Sequence, residues 1–113
     1  MIKSISLDQT PEVKTPHGVS VRKLHETEHA QVMHISLLPG EELKRHITPV
    51  DVFFYILEGD GVVEIGEDRA KVSKDMLIVS PANIPHRLIN DSKSAFRFLV
   101  VKTPRPGKAS QVL

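Results

Sequence analysis

Apolar and polar side chains alternate with a period of two along most of this chain, the signature of half-buried strands. Val19 to Leu24 sets Val19 and Val21 against Ser20 and Arg22. Gln31 to Leu38 places Met33, Ile35 and Leu37 on one face and Val32, His34, Ser36 and Leu38 on the other. Both faces lack strong charge, as expected where one lines a cavity and the other packs on a sheet. Val50 to Leu57 turns Val52, Phe54 and Ile56 one way and Phe53, Tyr55 and Leu57 the other. Further strands are predicted at Leu43–Ile47, Gly61–Gly66, Arg69–Ser73, Met76–Val79, His86–Ile89 and Ala95–Lys102. An edge strand is expected at Ile2–Leu7 and a loop at His25–His29. The tail, 103–113, carries Pro104, Pro106 and Gly107 and is expected to be loosely ordered.

Eight Pro and six Gly break the chain at short intervals. No segment keeps a helical stripe, so about nine or ten short strands form a single all-β domain spanning 1–113, with its barrel core at about 19–102. The length of 113 residues suits one core. Fifteen basic residues against 14 acidic ones give no electrostatic footprint for nucleic acid or an anionic membrane. With no Cys there is neither a disulfide framework nor a thiolate metal site. No apolar run reaches the length of a membrane span or a leader, so a cytoplasmic location is expected.

The stretch Gly40–Gly59 concentrates the candidate chemistry. His46 follows Gly40 after five residues, Thr48 stands two further on, Val52 four beyond that, and Gly59 closes the stretch. Downstream, Asp75, Pro81, Asn83, His86 and Asn90 recur at a second regular spacing. In these two patterns, across about residues 31–102, the chain resembles the cupins, small double-stranded β-helix (jelly-roll) barrels. Thr48 stands where the family's first motif has a second His, and Val52 where it has a Glu. Asp75 and Asn83 replace the two glycines of the second motif. Asn tolerates positive φ, so Asn83 can still make its turn.

In the family that His pair, the Glu and the second-motif His bind a divalent ion. Carried over residue by residue, the resemblance leaves His46 and His86 as metal ligands, with Zn, Fe, Mn or Ni weakly held or absent, because a catalytic site normally has three protein ligands. His34 is the best candidate for a third, provided its face lines the cavity; Asp51 would need a bulge to reach it. The plainer reading has His46 and His86 hydrogen-bonded to each other or to water, His34 as a satisfied histidine, and His17, His25 and His29 as surface residues. Exchange of a carboxylate for Val52 and an imidazole for Thr48 makes the pocket more apolar. His34, His46, Thr48, Val52, Phe54 and His86 then describe a small-molecule site whose neutral imidazoles titrate near or below their usual value. The sequence leaves three readings: a small-molecule-binding barrel with a partial ion site, a metal-dependent enzyme of dioxygenase or isomerase type with a non-standard ligand set, and a ligand-free assembly role. The family resemblance adds the expectation of a homodimer.

Overall fold

A computed structural model describes all 113 residues. Ten strands follow in chain order: β1 (Ser20–Glu26), β2 (Gln31–Leu37), β3 (Glu42–Ile47), β4 (Asp51–Glu58), β5 (Asp60–Ile65), β6 (Asp68–Ser73), β7 (Leu77–Ser80), β8 (His86–Ile89), β9 (Phe96–Thr103) and β10 (Gln111–Val112). They form two antiparallel five-stranded sheets, ordered β1-β2-β9-β4-β7 and β10-β3-β8-β5-β6. The all-β architecture expected from the alternation, and the jelly roll that the family resemblance implies, are the fold observed.

The inward rows are those the period of two marks. On β4, Val52, Phe54 and Ile56 are buried while Phe53, Tyr55 and Leu57 are only partly covered. On β9, Phe96, Phe98 and Val100 point inward, and they meet Leu37, Ile35 and Met33 of β2 as direct partners. Thirteen buried apolar residues make one continuous cluster between the sheets. Phe96 and Phe98 lie 5.2 Å apart, and Phe54 stands nearly perpendicular to Phe98 at 6.2 Å.

Two positions without glycine take the left-handed conformation: Asp75 at φ 68° and Asn83 at φ 65°. These are the places where the second motif calls for glycine. Asp and Asn reach that region at low cost because their short polar side chains bond locally. Gly61 is needed for space instead. A Cβ there would overlap the ring of Phe96.

Three expectations differ from the structure. Ile2–Leu7 forms no strand; Leu7–Gln9 is a short 3-10 turn, and Ile2 and Ile5 are exposed. Only Glu12 bridges to Arg22, because prolines at 11 and 16 interrupt further pairing. His25 belongs to β1, which runs on to Glu26 through a bulge between Lys23 and His25. The tail does not stay free of the barrel: Gln111 and Val112 pair with Ile47 and His46 on the edge of β3.

Candidate functional site

A bulge in β3 builds the site. Leu43 pairs with Leu88 and His46 with His86, so three steps on β3 match two on β8. The extra residue changes the parity of the strand, and Leu43 and His46 both point inward. Lys44, in the bulge, has its backbone engaged by two imidazoles. Its N–H donates to His17 Nδ1 at 2.9 Å, and its carbonyl lies 2.6 Å from His46 Nδ1. The carbonyl can only accept, so His46 Nδ1 carries the proton.

That proton fixes the rest of the network. The neutral His46 ring has a lone pair on Nε2, which faces His86 Nε2 at 2.9 Å, so His86 donates Nε2–H. His86 Nδ1 then accepts from the Ser80 hydroxyl at 2.7 Å. The rings of His46 and His86 meet edge to face with centroids 4.3 Å apart, and Phe54 lies against His86 at 5.2 Å. His17 stands edge-on to His46 at 4.8 Å. Thr48 Oγ1 is 3.5 Å from His86 Nε2 and bonds Ser110 Oγ of the tail at 2.9 Å.

Burial keeps these rings uncharged. His86 is lowered to about 3, by burial first and then by His46, Lys102 and His17. His17 is lowered to about 4, by burial and then by His46, Lys44 and Lys102. Burial also lowers His46, partly offset by its bond to the Lys44 carbonyl. Lys102, half-buried beside them, is itself lowered by burial.

Beside His46 lies a cavity of about 460 Å³. Val21, Met33, Ile35, Leu43 and Val100 form its apolar wall. His17, Gln31, His46, Lys102 and Ser110 supply polar groups, and residues 106–110 with Val112 complete its rim.

Of the six residues expected to form the pocket, only His46 lines this cavity. His86 lies behind it, Val52 and Phe54 belong to the packed core, and Thr48 is buried beneath Ser110. His34 corrects the sequence reading most sharply. It is buried on the opposite face of β2, where Arg22 stands across from it on β1 and Arg97 Nη1 donates to its Nε2 at 2.8 Å. The inward face of β2 is the apolar one, continuous with Phe96, Phe98 and Val100, so His34 does not share space with His46. Asp51 is exposed and accepts from the Ala82 N–H at 2.9 Å.

Lys102 and Ser110 went unmarked in the sequence, and His17, expected on the surface, is half-buried against the cavity instead. His17 sat in an irregular segment that has no parity to read. Lys102 did carry a signal: it continues the inward row Phe96, Phe98, Val100 as a charge. No group of three or more His, Cys, Asp or Glu side chains stands in metal-holding geometry, and no helix is long and apolar enough to cross a membrane.

Similarity to known proteins follows the same strands. The cupin-domain family (Cupin_2) matches residues 33–102. An uncharacterized protein of Methanocaldococcus jannaschii is 33% identical over 89 residues, covering 78% of this chain and 77% of the relative. The crystal structure from that organism, described as an RmlC-like cupin with a double-stranded β-helix fold, aligns at TM-score 0.76 and 25% identity, with 94% of each chain covered. The protein TT1209 of Thermus thermophilus aligns at TM-score 0.79 and 31% identity, over 93% of this chain and 100% of that one. The polyketide cyclase RemF of Streptomyces resistomycificus shares the fold at TM-score 0.84 and 20% identity, over 100% of this chain and 86% of the other. A family match over well more than half of the residues places this chain in the cupin family.

Proposed function

We propose that this cupin binds a small organic molecule in the cavity beside His46, with neutral imidazoles as hydrogen-bonding anchors rather than as a tight metal centre. The observation that carries this reading is the cavity itself. Its volume of about 460 Å³ falls in the range of small-molecule sites, and its wall is apolar with a few convergent polar groups.

A divalent ion is held weakly or not at all. His46 and His86 turn their Nε2 atoms on each other at 2.9 Å, and a shared proton occupies the lone pair a metal would need. The carboxylate position is Val52, fully inside the core, and His34 lies on the far face of β2. The Lys102 ammonium nearby opposes a second positive charge. A homodimer is supported by the outer face of the β4 sheet, where Phe53 and Tyr55 adjoin Val79 and Leu77, the latter two 65% and 54% exposed.

Nuclear magnetic resonance titration of the labelled protein with a fragment library, together with elemental analysis, tests the proposal. Shifts should cluster at Val21, Met33, Ile35, His17 and Lys102. Shifts confined to other surfaces would overturn the ligand site, and stoichiometric, chelator-resistant metal would overturn the weak-ion reading.

A further inference from the structure

The inward row of β9 ends in a charge. Phe96, Phe98 and Val100 are buried, and Lys102 takes the next position on the same face. Its direct partner on β2 is Gln31, so the two side chains project side by side into the cavity. No Asp or Glu lines that cavity. Lys102 makes no ion pair, and its one hydrogen bond, to Ser110 Oγ, is long at 3.5 Å. On the outer faces the pattern is reversed: Arg22, Arg69, Arg87 and Arg97 each meet a carboxylate. A half-buried ammonium without a counter-charge is unfavourable, because desolvation is not offset by attraction.

The other groups around the cavity do not supply that counter-charge. His17 accepts at Nδ1 from the Lys44 N–H, so its neutral ring keeps a proton on Nε2. His46 is a neutral imidazole, and Gln31, Thr15 and Ser110 are uncharged donors or acceptors. Lys108 at the rim adds a second cation. The cavity therefore carries net positive charge above an apolar wall of Val21, Met33, Ile35, Leu43 and Val100.

We propose that the cavity selects a small organic carboxylate, whose negative head sits against Lys102 and Gln31 and whose apolar body lies along Met33, Ile35 and Val100. This inference rests on the reading of the cavity as a ligand site and adds the charge class of the ligand. A bound carboxylate supplies the missing counter-ion and accepts charge-assisted hydrogen bonds from the ammonium. Burial lowers the Lys102 pKa, and an anion beside it reverses that effect.

Matched probes test the proposal by calorimetric titration of the full chain: 3-phenylpropanoate against 3-phenylpropanamide, and hexanoate against hexanamide. The carboxylate of each pair should bind about tenfold or more tightly than its amide, and the difference should shrink as salt rises. In Lys102→Met the preference should fall to about twofold or less, and Lys102→Arg should retain most of it. Equal affinity of acid and amide in the unaltered protein would overturn the charge assignment while leaving the ligand site standing. A preference that survives in Lys102→Met would overturn the role of Lys102. Binding of neither member of either pair at millimolar concentration would count against the ligand site and the charge class together.

Discussion

Mild acid should destabilise this protein, and its buried imidazoles should set the slope. An imidazole is charged when protonated. His86 is held down to about 3 and His17 to about 4 in the folded chain, against an ordinary value near 6.5. Well above pH 6.5 neither the folded nor the unfolded chain is protonated at these sites, and their full contribution is present. Below it the unfolded chain takes up protons that the folded chain refuses, so stability falls as pH falls, until the folded rings titrate as well. Each proton refused over one pH unit is worth ~1.4 kcal/mol. Between pH 6.5 and 4.5, His86 therefore loses ~2–3 kcal/mol. His17 is half-exposed and screened by water, so it adds ~1 kcal/mol. The sum, ~3–4 kcal/mol, is a large fraction of the ~5–15 kcal/mol that holds a typical domain together.

Urea unfolding followed by far-ultraviolet circular dichroism at pH 7, 6, 5 and 4.5 measures this loss. The midpoint should drop by roughly 1–4 M urea across the series. Imidazoles dominate this window, because Glu64 and Glu26, lowered by their bonds to Arg87 and Lys23, keep their contribution until pH falls to the ordinary carboxylate value at its lower end; His46 and His34, which burial also lowers, add to the same fall. His17→Gln should flatten the slope by its ~1 kcal/mol share. A midpoint unchanged from pH 7 to 4.5, or one that rises, would refute the argument.

Two further outcomes are expected. Gly61→Ala should destabilise the fold by ~1–3 kcal/mol, read by the same urea series, because the new methyl overlaps the fully buried Phe96 ring; a neutral result would mean the ring has room to move. Removal of residues 104–113 should leave the strand spectrum largely intact while weakening binding of 3-phenylpropanoate about tenfold or more, since the tail supplies the rim and Ser110; unchanged affinity would remove the tail from the site.

The barrel was legible because burial on two-faced strands writes itself into alternation. Val52, Phe54, Ile56, Phe96, Phe98 and Val100 could be placed from parity alone. Positive φ at Asn83 followed from its place in the second motif. The choice between two faces that both lack strong charge was not legible on β2. Which face turns inward depends on the neighbours it meets, and Met33, Ile35 and Leu37 meet the aromatic row of β9. His34 accordingly is buried on the other face, beside Arg22 and Arg97, a contact that local pattern does not record. The bulge that turns Leu43 and His46 the same way breaks the rule by which faces are read. The tail's pairing with β3 depends on an edge left open by the remainder of the fold, which local composition does not record.

Segments 15–17 and 106–110 frame the cavity without belonging to a strand of either sheet. The doorway is thus separable from the scaffold. Exchanges in those few residues can retune which molecules are admitted while strand order and the aromatic interior stay as they are. Such a division lets one barrel diversify its chemistry at little risk to its folding.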